Sequence, residues 1–289
     1  MLVDFHTHIF PEKIAQKTLD ILSKQSHDIP YYFNGQVDGL IKEMEKADCD
    51  IAITLPVVTK PSQFEHINYF AKEVNSAFAD KKRKLISFGG IHPACDDIDG
   101  KMAFLKKNGF LGVKIHPDYQ NTFIDDDGYI KILECAKYYD LIVVTHTGKD
   151  DGFDGVPTKC PPELSAKVID RVKWNKFVLA HLGGNRMYDD VLKYIAGKDV
   201  YIDTAYALKD ISKEKFVQLV DKHGEDKVLF ATDCPWKDIK EEKDTLENYF
   251  LRLLGEEKDY LLTFDFSKTR LDKICYLNAL KLLNLSEKI

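Results

Sequence analysis

Along this chain, short apolar runs alternate with longer stretches in which apolar residues recur every three or four positions. The runs fall at residues 2–8, 50–56, 85–93, 111–117, 141–146, 177–181, 200–204 and 228–233. Continuous apolar runs of this length suit strands buried on both faces, the condition of a parallel sheet covered by helices. Between them, Pro11 fits the start of a helix through Ile14, Leu19 and Leu22, residues 37–44 carry a second helical pattern, and Phe70, Val74 and Phe78 mark a third. The pattern predicts an α/β protein with about eight strand–helix units, the number that closes a (β/α)8 TIM barrel. Residues 237–254 read as the helix after the last strand, and residues 271–283, with Leu277, Leu280 and Leu283 at helical spacing, as a terminal helix packing on the barrel. No Pro-, Gly- or Ser-rich linker divides the chain, so residues 1–289 are expected to form a single domain. A doubly wound open sheet is the rival fold, but its glycine-rich fingerprint is missing after the first strand.

Histidines stand in that place. Side chains alternate across a strand, so His6 and His8 are expected to point the same way with Asp4 in line beneath them, while Val3, Phe5 and Thr7 face the other side. Six of the nine histidines (His6, His8, His92, His116, His146 and His181) lie at the C-terminal ends of predicted strands, and Asp233 ends the last one. In a parallel barrel those ends form one rim, the face on which barrel enzymes carry their chemistry. His27, His66 and His223 fall elsewhere and read as surface residues.

His6, His8, His146 and Asp233 form a nitrogen and carboxylate set suited to one divalent metal: zinc first, with manganese or iron at lower affinity. Such an ion lowers the pKa of bound water to about 7. Asp233 would accept the proton, and His181 would polarise the substrate or shuttle a proton. His92 and His116 each precede a proline and fit rigid turns, with His116 also a candidate to touch substrate. Lys114 shares a face with His116 and is expected to point inward. There it could pair with a carboxylate, bind an anionic substrate, or be carboxylated and bridge a second metal. Arg186, after Gly183-Gly184-Asn185, is a candidate carboxylate anchor, and residues 149–157 suit a lid.

Composition narrows the partners. The chain is 44% hydrophobic and 30% charged with a net charge of −6, so it offers no basic stripe for nucleic acid and no membrane span. The N-terminus runs straight into a strand without a secretory pattern, which gives a cytoplasmic location as the expectation. Six singly scattered cysteines support neither a disulfide framework nor a zinc ribbon. A small-molecule substrate is the expected partner; base rates leave a homo-oligomer open, and no residue pattern argues for one.

The set His6-Thr7-His8, Gly112-Val113-Lys114-Ile115-His116-Pro117, Thr145-His146-Thr147-Gly148, Ala180-His181-Leu182-Gly183-Gly184 and Thr232-Asp233-Cys234-Pro235 resembles the amidohydrolase superfamily. Within it the chain is similar to the amidohydrolase-related branch that includes aminocarboxymuconate semialdehyde and resorcylate decarboxylases beside many hydrolases. The resemblance implies a distorted barrel, one divalent metal on His6, His8, His146 and Asp233, and a catalytic histidine at His181. Metal-dependent deoxyribonucleases of the superfamily carry a glutamate on the fourth strand, where this chain offers Lys114 and His116. Binuclear members carry a carboxylated lysine there, so Lys114 keeps a second metal open. The activity expected first is metal-dependent hydrolysis of a small amide, ester or lactone. Non-oxidative decarboxylation of a small carboxylic acid comes second, and a barrel that binds metal or ligand without turnover third.

Overall fold

In the computed structural model, which describes residues 1–251 and 269–286, each apolar run forms a short parallel strand. They are β1 (Val3–Thr7), β2 (Ile51–Thr54), β3 (Lys84–Ser87), β4 (Gly89–Gly90), β5 (Gly112–Ile115), β6 (Ile142–Thr145), β7 (Phe177–Leu179), β8 (Tyr201–Asp203) and β9 (Val228–Leu229). β3 and β4 are two pieces of one stave, interrupted at Phe88, whose N–H still donates to Thr54 O at 2.9 Å. The strands pair β1-β2-β3 and β4-β5-β6-β7-β8-β9. Backbone bonds from Phe5 to Phe230 (2.9 Å) and from Asp233 to His6 (2.8 Å) join the last stave to the first. The result is a closed eight-stave β/α barrel, distorted where β3 breaks and where β1 meets β9.

The helices are α1 (Glu12–Gln25), α2 (Val37–Ala47), α3 (Phe64–Phe78), α4 (Ile98–Lys107), α5 (Asp127–Tyr139), α6 (Pro162–Val172), α7 (Tyr188–Tyr194), α8 (Lys213–His223), α9 (Ile239–Leu251) and α10 (Asn278–Leu283). Local chemistry sets several starts: Asp126 accepts from Gly128 N at α5, and Ser212 accepts from Lys215 N at α8. A π-helical turn at Lys273–Leu277 leads into α10. Of the helix expected over 237–254, residues 252–254 lie outside the described residues.

Two apolar clusters account for the packing. The outer one fills the layer between barrel and helices, with Leu105, Val113, Leu133 and Leu179 among its members. The inner one joins Val3, Phe5, Ile53, Val144 and Leu229 to Ala279, Leu280, Leu282 and Leu283, so the terminal helix closes the barrel floor where the strands begin. Its membership corrects one expectation. Val3 and Phe5, not Asp4, face inward, and Asp4 turns to Thr232, whose backbone N–H it accepts at 3.1 Å. Strict alternation fails because the β1–β2 register shifts between Asp4 and Thr7. This irregularity brings His6 back to the inner side, a common use of a bulge beside a site. His223 also departs from expectation: it is buried, with Nε2 at 3.0 Å from Val200 O. All six cysteines are free and buried, and no described helix is long and apolar enough to cross a membrane.

Candidate active site

The strand ends converge on a cavity of about 440 Å³ whose floor includes His6, His8, Lys114, His181 and Asp233. Backbone strain aims two of them. His181 (φ 59°) and Asp233 (φ 67°) occupy the left-handed region just past their strands, a conformation non-glycine residues rarely take and one concentrated at functional loops.

Hydrogen bonds fix where the protons sit. Nδ1 of His6 lies 3.0 Å from the carboxylate of Asp203, an acceptor, so Nδ1 carries the hydrogen and Nε2 presents a lone pair. Nδ1 of His8 lies 2.9 Å from Leu55 O, which likewise leaves its Nε2 bare. That nitrogen stands 3.0 Å from Oδ1 of Asp233, which is also 3.5 Å from Nε2 of His6. Lone pairs and a carboxylate facing one another at these distances repel unless a proton or cation lies between them. Burial would raise the Asp233 pKa; when the imidazoles of His6 and His8 carry protons they outweigh it and hold the carboxyl well below its usual range, the service a cation between them would perform when the rings are neutral. Burial, helped by the Lys114 charge, lowers His6 to about 4 and so favours the neutral ligand form.

The donor set fits a divalent cation. The ligand atoms of His6, His8 and Asp233 lie within 4.8 Å of one another, and three protein ligands leave positions open for substrate. Asp203 behind His6 is the carboxylate that orients a metal-binding imidazole and raises its basicity. The structure places His146 beside this triad rather than within it. Its Nδ1 meets Nε2 of His181 at 2.9 Å; Nδ1 of His181 lies 2.8 Å from Ala205 O, which makes His181 the acceptor and His146 the donor. Nε2 of His146 is then a buried lone pair with no hydrogen-bond partner among the described residues.

His116 stacks on His146 with ring centroids 4.2 Å apart and planes 11° from parallel. Together with Asp150 these two offer a second compact group of ligand atoms. Stacked rings cannot both aim an in-plane lone pair at one ion, so this trio is a poor cation site. Nδ1 of His116 accepts weakly from Tyr119 N at 3.4 Å, and Nε2 faces Asp150 at 3.4 Å. Lys114 is buried with Nζ 3.1 Å from Nε2 of His6, and burial lowers its pKa to about 8 against the pull of Asp233 and Asp203. His92 lies in a turn, its Nδ1 accepting from Ala94 N at 3.0 Å, and does not line the cavity.

Arg186 does not line the cavity either. Its guanidinium forks onto both oxygens of Asp151, and its Nε donates to Asp210 at 3.2 Å. Asn185 is the member of that loop that lines the cavity. It is zipped to the expected lid by Lys149 N to Asn185 O (3.0 Å) and Asn185 N to Thr147 O (3.0 Å). Gly148 makes the zipper feasible: it has φ +83°, and a Cβ there would sit 2.1 Å from Asn185 N. The lid carries Asp150 and Asp151 into the cavity wall. Asp203, Asp150 and Asn185 were not singled out from sequence. For Asp203 a signal existed, since it ends a strand as Asp233 does and shares the inward face of Tyr201.

Residues 3–285 match the amidohydrolase family model, and the chain belongs to that family. Among curated proteins none matches. Among solved structures, an uncharacterized TIM-barrel protein from Bordetella bronchiseptica is 17% identical with a TM-score of 0.71, covering 98% of both chains. A 5-carboxyvanillate decarboxylase from Sphingomonas paucimobilis is 13% identical with a TM-score of 0.65, covering 99% of both. A dihydroxybenzoic acid decarboxylase from Polaromonas sp. JS666, solved with bound manganese and the inhibitor 2-nitroresorcinol, is 14% identical with a TM-score of 0.65 over 98% of this chain and 96% of that one. At these identities the likeness speaks for the fold.

Proposed function

We propose that this chain, as one barrel domain over residues 1–289, is a metal-dependent, non-oxidative decarboxylase of a small aromatic carboxylic acid. The observation that carries the reading is the cavity's division of labour. Imidazoles, Asp233 and the Lys114 ammonium gather on the floor, and largely apolar walls enclose the space above. Such a site takes a carboxylate at its floor and wraps the body of the acid in apolar surface. The structural neighbours named for decarboxylation of 5-carboxyvanillate and dihydroxybenzoic acid support the same substrate class.

A divalent ion held by His6, His8 and Asp233, with His146 offering a further nitrogen, would supply Lewis-acid polarisation of substrate oxygens. Zinc and manganese both suit these donors, and the neighbour with manganese favours screening that ion first. Lys114 orients the departing carboxylate through its ammonium, close to His6. The bond from the ring carbon to the carboxyl carbon breaks, carbon dioxide leaves, and the electron pair stays on the ring carbon. A solvent proton takes its place, relayed through Nε2 of His181, which presents a lone pair and takes that proton up before passing it on. The apolar walls favour this exchange because a charged carboxylate becomes neutral carbon dioxide in a site shielded from water.

A second reading, hydrolysis of an amide, ester or lactone, draws on Asp233, which is held ionised and so suits a proton acceptor. Protein reconstituted with manganese or zinc and incubated with a panel of hydroxylated benzoic acids tests the first reading. Release of carbon dioxide, with one solvent deuterium placed on the ring in deuterated water, is the expected result. Acid release from esters or lactones without any decarboxylation would overturn it in favour of the second.

A further inference from the structure

The cavity walls raise a question that the floor does not answer. Helix α1 turns Ile14, Thr18 and Leu22 toward the cavity, residues four apart and so stacked along one stripe. The stripe from Ile14 to Leu22 is about 12 Å long at 1.5 Å per residue. Helix α3 turns Ile67 and Phe70 toward the same space, three apart on one helical face, with His66 beside them and Gln63 just before the helix. Of these positions only Phe70 also packs against the outer core cluster. α1 buries Ala15 and Leu19, and α3 buries Phe64, Asn68, Ala71 and Val74. Ile14, Leu22 and Ile67 pack in neither core cluster, and Ile14 is 49% exposed.

Apolar side chains that the core does not claim, Ile14 and Leu22 on α1 and Ile67 on α3, therefore lie along two helices, continuous with the catalytic cavity and with Phe70 at its edge with the core. The part of the cavity lined by α1 and α3 carries no lysine, arginine, aspartate or glutamate among its described lining residues; its polar members are Thr18 and His66. Contiguous apolar surface opening from a polar floor is the mark of a ligand groove.

We propose that the substrate is amphiphilic: a compact carboxylate-bearing head seats on the floor, and an uncharged alkyl or arylalkyl tail lies against Ile14, Leu22, Ile67 and Phe70. The head group rests on the decarboxylase reading, and the tail rests on the two helices alone.

Isothermal titration of the manganese-loaded protein with benzoate, 4-ethylbenzoate, 4-butylbenzoate and 4-hexylbenzoate tests it. Affinity is expected to rise about two- to fourfold per added methylene, the upper figure corresponding to the ~0.8 kcal/mol of full burial. In the double variant Ile14→Gln/Leu22→Gln the same series is expected to flatten, with an unchanged melting temperature showing that the fold is kept. Equal affinities across the wild-type series, or an undiminished slope in the variant, would overturn the groove while leaving the decarboxylase reading standing. If none of the four acids binds, the head-group reading falls and the proposal with it.

Discussion

The carboxylate of Asp203 stands 3.0 Å from Nδ1 of His6, and both side chains are buried. Because a carboxylate only accepts, this contact fixes the imidazole tautomer and turns the Nε2 lone pair toward Asp233 and Lys114. Burial would raise Asp203, but His6 outweighs it and keeps the carboxyl below its ordinary range, so the negative charge persists behind the ring.

Replacing Asp203 with Asn keeps the shape and removes the charge. Divalent-metal affinity is expected to fall about 10- to 100-fold, read by competition with a metal-binding dye. An unchanged affinity would mean that His6 does not ligate through Nε2.

Lys114 makes the opposite prediction. Its ammonium lies 3.1 Å from a lone pair expected to face the cation, and like charges repel at that range. Lys114→Met is expected to bind the first metal more tightly, by about tenfold, and to bind benzoate more weakly. If the variant instead loses one of two metals found in the wild type, Lys114 is a carboxylated bridging ligand and the site is binuclear.

The lid responds to Arg186. Asp151 receives its guanidinium and also the Tyr206 hydroxyl at 2.9 Å, so one arginine ties the lid to two neighbouring loops. Arg186→Ala is expected to speed amide exchange across residues 149–157 and to raise KM several-fold, with kcat less affected. Unaltered exchange in the variant would show that the fork does not restrain the lid.

Away from the site, Glu242 on α9 is fully buried, and neither carboxyl oxygen has a hydrogen-bond partner among the described residues. Burial raises its pKa from 4.5 to about 7, with Lys237 and Lys209 opposing and Glu241 and Asp210 adding to the rise. The native state therefore holds this proton more tightly than the unfolded chain. Its contribution to stability is complete below about pH 4.5 and is lost as pH climbs to about 7. Glu242→Gln removes the titration. The variant is expected to gain about 1–3 kcal/mol relative to wild type between pH 5 and pH 8 in urea melts. A difference that does not change with pH would place the carboxyl in a solvated or paired environment.

The barrel was legible because each strand is an apolar run that must be buried on both faces, and the rim was legible because histidines end those runs. Period-two reading failed at Asp4, where the register shift in β1 exchanges the inward face between Phe5 and His6. No local pattern announces such a bulge. Arg186 follows a glycine pair near the rim, a pattern that suits a substrate anchor. The structure spends its charge on Asp151 and Asp210, a pairing that depends on loops distant in sequence. His146 fell where expected at a strand end, yet its ring direction is set by His181, which sequence spacing does not encode.

The measurement that tests the account most directly is metal content per chain, by elemental analysis after reconstitution with manganese or zinc, for wild type, His8→Ala and Asp233→Asn. The account predicts one tightly held ion in the wild type and its loss in both variants, His8→Ala deleting a donor of the triad of His6, His8 and Asp233 and Asp233→Asn replacing its only carboxylate with a neutral amide oxygen. No retained metal in the wild type, or full retention in both variants, would contradict it.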